Sequence, residues 1–108
     1  MKTGDIILIP FPFAEMVNAK VRPAVIVSVT KDKYKDIIVC AISSVMPAKL
    51  SENEILISPQ GINKLRVRSV LKVDRIVTLK RKDVIHELGK LNIAELKKFK
   101  EIFRKLVD

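Results

Sequence analysis

The chain has 108 residues, 48% of them hydrophobic and 31% charged, with a formal net charge of +9. That length suits one domain spanning 1–108, and that composition excludes a disordered chain. No apolar run approaches the roughly 20 residues of a membrane span, so no membrane partner is expected.

In chain order, Met1-Lys2-Thr3-Gly4-Asp5 meets an acid at once and lacks the apolar stretch and small-residue cleavage site of a secretory leader. A cytoplasmic protein is therefore expected. Ile6-Ile7-Leu8-Ile9 reads as a short strand closed by Pro10 and Pro12, and residues 14–22 as a polar connection. Arg22-Pro23 precedes the apolar run Ala24 to Val29, the next strand. Proline has no N–H and suits a strand's first residue, which sets Arg22 at the strand mouth. There it is either an exposed flanking arginine or a guanidinium fork for phosphate or carboxylate.

Lys31 to Asp36 forms a charged turn, and Ile37 to Ile42 is a continuous apolar run expected to be buried on both faces. Ser43-Ser44 ends it. The single cysteine, Cys40, lies between Val39 and Ala41 and reads as a buried, inert thiol. One cysteine and one histidine make no metal-ligand cluster, so neither metal nor cofactor is expected. Glu54 to Ser58 is a shorter strand, stopped by Pro59 and Gly61. From Arg68 to Leu79 the residues alternate, setting Val70, Lys72, Asp74 and Ile76 on one face and Ser69, Leu71, Val73 and Arg75 on the other.

His86, in Val84-Ile85-His86-Glu87-Leu88, has no second histidine nearby and reads as a structural or surface residue. Asn92 with Glu95 three residues on is a capping-box arrangement. Leu96, Phe99, Ile102, Phe103, Leu106 and Val107 then form the apolar stripe of a helix laid over the sheet. Short strands at this spacing with one terminal helix define a mainly β fold, a small barrel with a C-terminal α-helix.

The charge is unevenly spread. Residues 1–63 hold seven basic and six acidic side chains, and residues 83–108 hold six and five. Residues 64–82 hold eight basic side chains against Asp74 alone. That segment is either a solvated face or the electrostatic footprint of a polyanion binder. Aromatic rings for base stacking are confined to Phe11, Phe13 and Tyr34.

Five segments in order resemble the MazF/PemK family of toxin endoribonucleases. They are Gly4 to Phe13, Arg22 to Ser28, Val39 to Ser44, Ser69 to Leu79 and Leu88 to Leu91. The resemblance implies an SH3-like barrel, a homodimer, cleavage of single-stranded RNA without metal, and an acidic antitoxin partner. It assigns the catalytic roles to Arg22 and Ser43, the latter where the family usually has threonine. It implies RNA-binding or supporting roles for Ser44, Lys72, Asp74, Arg75, Phe13 and Lys20. Asp74 either orients Arg22 or a base, or forms a local salt bridge with Lys72 or Arg75. The chain departs from the family at Arg75, often Gln there, and at Val77, often Arg. Some members have arginine where it has Lys72. Two other readings share this fold: a nucleic-acid-binding module without catalysis, and a toxin that binds another protein, as CcdB-type toxins bind gyrase.

Overall fold

The structure is a computed structural model that describes residues 1–10, 21–31 and 33–108. Among the described residues, six strands form one antiparallel sheet. They are β1 (Asp5–Pro10), β2 (Val21–Val29), β3 (Asp36–Ser43), β4 (Glu54–Ile57), β5 (Ser69–Lys80) and β6 (His86–Lys90). A 3-10 turn, Arg81–Asp83, follows β5, and helix α1 (Ile93–Lys105) comes last among these elements. The spatial order is β4-β5-β3-β2-β1-β6. The sheet is curled into the mainly β, barrel-like shape expected.

Both faces of the central strands are apolar because both are covered. Ile6, Val25, Cys40 and Ile42 face one cluster, which α1 closes with Phe99 and Ile102. Ile7, Ile9, Ala24, Ile26, Ile37 and Val39 face the other. This is the two-sided burial that the Ile37–Ile42 run requires. The capping box forms as read: Glu95 N–H donates to Asn92 Oδ1 at 2.8 Å, and Asn92 N–H to Glu95 Oε1 at 3.0 Å. Phe99 is fully buried, and burying such a side chain contributes about 1.5–3 kcal/mol. The stripe ends earlier than expected, because Leu106 and Val107 lie past the helix end and are exposed.

Strand β2 begins at Val21, two residues before Pro23, which is therefore not the first residue of its strand. Pro23 pairs with Leu8 on β1, whereas pairing with β3 starts only at Ala24 opposite Ala41. The proline thus sits where one side of the strand carries no ladder.

The largest departure from simple alternation lies in β5. Cys40 pairs with Ile76, but the next residue, Ala41, pairs with Lys72. Val73, Asp74 and Arg75 are left without partners on β3, a bulge of three residues. An odd excess reverses the faces. Leu71 and Val73 belong to the helix-covered cluster, while Val77 and Leu79 pack on the opposite one. The sequence-based face assignment therefore fails beyond Val73.

The sheet's two edges are tied by a loop. Residues 58–68, between β4 and β5, reach β6, where Lys90 N–H donates to Ile62 O at 3.0 Å. Gly89 permits that approach, since a Cβ there would collide with the Ile62 carbonyl. The loop turns about Asn63, which is fully buried. Its Oδ1 accepts from Gln60 N–H and Leu65 N–H, each at 3.0 Å, and its Nδ2 donates to Ser58 O at 2.9 Å. Among the described residues, no helix is long and apolar enough to cross a membrane.

Candidate functional site

Arg22 follows the β2 alternation onto the face of Ala24 and Ile26, opposite Ile9 on β1. Carrying the Ala24–Ala41 register two residues further aligns it with Ser43, the last residue of β3. Both side chains line a pocket of about 360 Å³ at this end of the sheet. Ile9, Pro23, Ala41, Ile76 and Val77 supply its apolar wall, and Lys72, Asp74 and Arg75 its remaining charged groups. Three cationic side chains thus meet one carboxylate in a hollow of limited size, which favours an anionic ligand.

Each member is held differently. Arg22 is half-buried on a strand that is itself in the core. Ser43 Oγ accepts from Val45 N–H at 3.1 Å, which engages a lone pair and leaves its O–H able to donate. Lys72 lies opposite Glu54 on β4, and its Nζ is 3.0 Å from Glu54 Oε2. Glu54 also accepts from Ser51 N–H at 2.8 Å. These contacts, the Ser51 backbone bond first and then Lys72, hold the Glu54 carboxyl below its usual range. Asp74 and Arg75 reach the pocket because the bulge takes them off the ladder.

Of the two roles read for Asp74, the local salt bridge with Lys72 or Arg75 is not formed. The carboxylate on Lys72 is Glu54, its direct cross-strand neighbour, and Asp74 forms no ion pair with a described residue. Val73, the first residue of the bulge, turns into the core, whereas Asp74 and Arg75 after it are exposed. The Val73 N–H donates to Asn53 O at 3.0 Å, and its carbonyl accepts from Cys40 Sγ at 3.2 Å. Burial, with the Asp74 carboxylate adding, pushes the Cys40 thiol up to about 12, so it stays protonated and inert.

Five of the candidate residues, Arg22, Ser43, Lys72, Asp74 and Arg75, therefore converge. Ser44 does not join Ser43. It lines a neighbouring hollow of about 430 Å³, together with Lys64 and Arg66 of the Asn63 loop, and Arg22 borders both hollows. Phe13, Lys20 and Phe11 lie outside the described residues. His86 is exposed on β6 opposite Leu8 and lines neither hollow.

The eight basic residues of 64–82 are not one patch. Lys72 and Arg75 serve the pocket, Lys64 and Arg66 the neighbouring hollow, Arg68 is exposed and lines neither, and Lys80, Arg81 and Lys82 sit at the far end of β5. Sequence reasoning missed Glu54 and Asn63. Glu54 is recognisable only through cross-strand register, and a lone asparagine in a polar loop gives no sign of burial.

A curled antiparallel sheet with a pocket of net positive lining where the β2 and β3 ends meet defines a small β-barrel protein. Residues 2–107 match the profile of the PemK-like, MazF-like toxins of type II toxin–antitoxin systems, and the chain belongs to that family. Solved structures agree in fold. One is an endoribonuclease in complex with its cognate antitoxin from a mycobacterial species, with TM-score 0.75 and 14% identity over 99% of this chain and 94% of that one. A toxin MazF of Mycobacterium tuberculosis gives 0.71 and 16%, covering 96% of both chains. A MazE–MazF complex from Deinococcus radiodurans gives 0.72 and 18%, covering 99% of this chain and 95% of that one. Comparison with curated protein sequences gives no significant match.

Proposed function

We propose that this toxin is an endoribonuclease that cuts single-stranded RNA without a metal ion, at the pocket of Arg22 and Ser43. The observation that carries the reading is the convergence of Arg22, Ser43, Lys72, Asp74 and Arg75 on one pocket. RNA supplies its own nucleophile. The ribose 2′-oxygen attacks the adjacent phosphorus, the P–O5′ bond breaks, and the products are a 2′,3′-cyclic phosphate and a 5′-hydroxyl. The 2′-hydroxyl proton passes to Asp74, the carboxylate among the described lining residues, and O5′ takes a proton from water.

The protein's task is alignment and charge stabilisation. Arg22 grips the phosphate with fixed donors and stays charged throughout. Ser43 donates its O–H to a phosphoryl oxygen, its own lone pair being engaged by Val45 N–H. Lys72 supplies an ammonium donor from a position fixed by Glu54, which also offsets its charge. The relatives solved with an antitoxin support an antitoxin partner here too, an acidic segment laid over the basic pocket end. The toxin acts in the cytoplasm as a homodimer of single-domain chains, because so small a barrel gains core by pairing across a two-fold axis.

The test is incubation of purified protein with mixed RNA in EDTA, followed by mapping of product ends. Cyclic-phosphate and 5′-hydroxyl ends, with DNA left intact, are expected. Uncut RNA that still binds would move the protein to the binding-module reading, which the neutralisation of Lys72 by Glu54 favours.

A further inference from the structure

We infer that the turn between β2 and β3, with the adjoining end of β5, is a second contact for single-stranded RNA, in which a base stacks on Tyr34 and nearby lysines take its flanking phosphates. The inference rests on the RNA reading of the pocket but concerns the opposite end of the sheet. Strand β3 separates the two regions, running from Asp36 at this turn to Ser43 at the pocket, a distance of about 23 Å at strand rise.

Tyr34 is 59% exposed, unusual for a ring that could have been buried. The turn that carries it is closed by Thr30 N–H to Asp36 O and by Asp36 N–H to Thr30 Oγ1, each 2.8 Å, so the ring stands on a fixed base. Two ammonium groups lie over it, Lys33 Nζ at 5.3 Å and Lys80 Nζ at 5.5 Å from the ring centre. Lys80 is brought there by its pairing with Asp36 and held by a 3.0 Å contact to that carboxylate. The turn carries Lys31, Lys33 and Lys35, and the β5 end paired with it through Asp36 and Lys80 continues into Arg81 and Lys82. Even against Asp32, Asp36 and Asp83, three positive charges remain in surplus.

An exposed ring bordered by cations is the arrangement that binds single strands without reading sequence. A base offers the ring a wider face than an exposed ammonium does, so it displaces the lysines outward to where the sugar–phosphate backbone runs. An acidic peptide would use the charges but not the ring. The site would hold a flanking part of the same RNA that enters the pocket, raising affinity for long substrates over short ones.

The chain has one tyrosine and no tryptophan, so tyrosine emission reports this ring alone. The probe is a 2′-O-methyl oligouridylate of about fifteen nucleotides, which cannot be cut and lies within the range of single-strand site sizes. Binding, followed by anisotropy of an end label, should quench the emission, whereas inorganic polyphosphate should bind without quenching. Tyr34→Ala should weaken oligonucleotide binding about 5- to 100-fold, and Tyr34→Phe should restore it. Tyr34→Ala should also raise KM for long RNA while leaving trinucleotide cleavage unchanged. Binding without quenching, or equal affinity in Tyr34→Ala, overturns the second contact and spares the pocket. Quenching by polyglutamate at equal affinity overturns it in favour of an acidic protein partner. No binding of the oligonucleotide to the wild-type protein overturns the RNA reading of both regions.

Discussion

The two ends of β5 carry the same kind of charge on opposite kinds of support. At the pocket end, Arg22 is half-buried on a core strand and Lys72 is anchored by Glu54. At the far end, Lys80 borders the exposed ring of Tyr34, and Arg81 and Lys82 after it are exposed on a 3-10 turn. A cation meant to stabilise a transition state gains from being fixed before the substrate arrives, because no reorganisation is then required. A cation meant only to hold a polyanion gains little from such fixing, since exposed phosphate contacts act through charge and counterion release. A count of charge along the sequence does not distinguish the two.

The sharpest way to separate the ends is to remove Arg22. Arg22→Ala should lower the cleavage rate about 10²–10³-fold with binding to the far end retained, measured by single-turnover kinetics beside thermal melting. Cleavage at the wild-type rate would transfer the chemistry elsewhere. Asn63→Ala should come next. It removes three hydrogen bonds of a fully buried side chain, leaving two part-buried N–H groups and one carbonyl short of partners, so stability should fall by about 1–3 kcal/mol in urea unfolding. Its effect on RNA should be confined to the Lys64 and Arg66 hollow.

Ser43→Ala removes one neutral donor, worth about 1.4 kcal/mol or tenfold in rate, whereas Ser43→Thr keeps the hydroxyl and the activity. At the other end, Lys82→Ala should leave cleavage of short RNA unchanged. It should reduce the slope of log affinity against log salt by about 0.7, the share of one phosphate contact on a single strand. The smallest effect is on pH. Glu54 has its carboxyl held low in the folded state, so its contribution is present above the unfolded carboxylate range and is lost as pH falls through the lower folded value. Glu54→Gln should flatten that part of an acid-unfolding curve, and an unchanged curve would detach Glu54 from the pocket's support.

Much of this was legible in the sequence, for identifiable reasons. The capping box at Asn92 and Glu95 is a local device, complete within four residues. The Ile37–Ile42 run needed only hydrophobicity to be read as doubly buried. Arg22 and Ser43 were found through family resemblance, and the structure brings both to the same pocket. What escaped depends on register. Strand β6 was not foreseen, because His86-Glu87-Leu88-Gly89-Lys90 has little strand propensity and is made a strand by pairing with β1. The pairing of Lys72 with Glu54 rather than Asp74 follows from which residue lies opposite, not from which lies near in sequence. The bulge at 73–75 is invisible because alternation continues through it in the letters while reversing in space.

That reversal makes the segment sensitive to length rather than to spelling. Asp74 and Arg75 bear no ladder, so exchanging either leaves the frame of the barrel intact. Adding or deleting one residue between Val73 and Val77 would rotate everything downstream by half a turn, sending Val77 and Leu79 to water and their neighbours to the core. Adding two would restore the phase. A single-codon deletion here should therefore harm the fold more than almost any point change at the same positions, because what the barrel counts at Asp74 and Arg75 is the number of places and not the side chain that fills each.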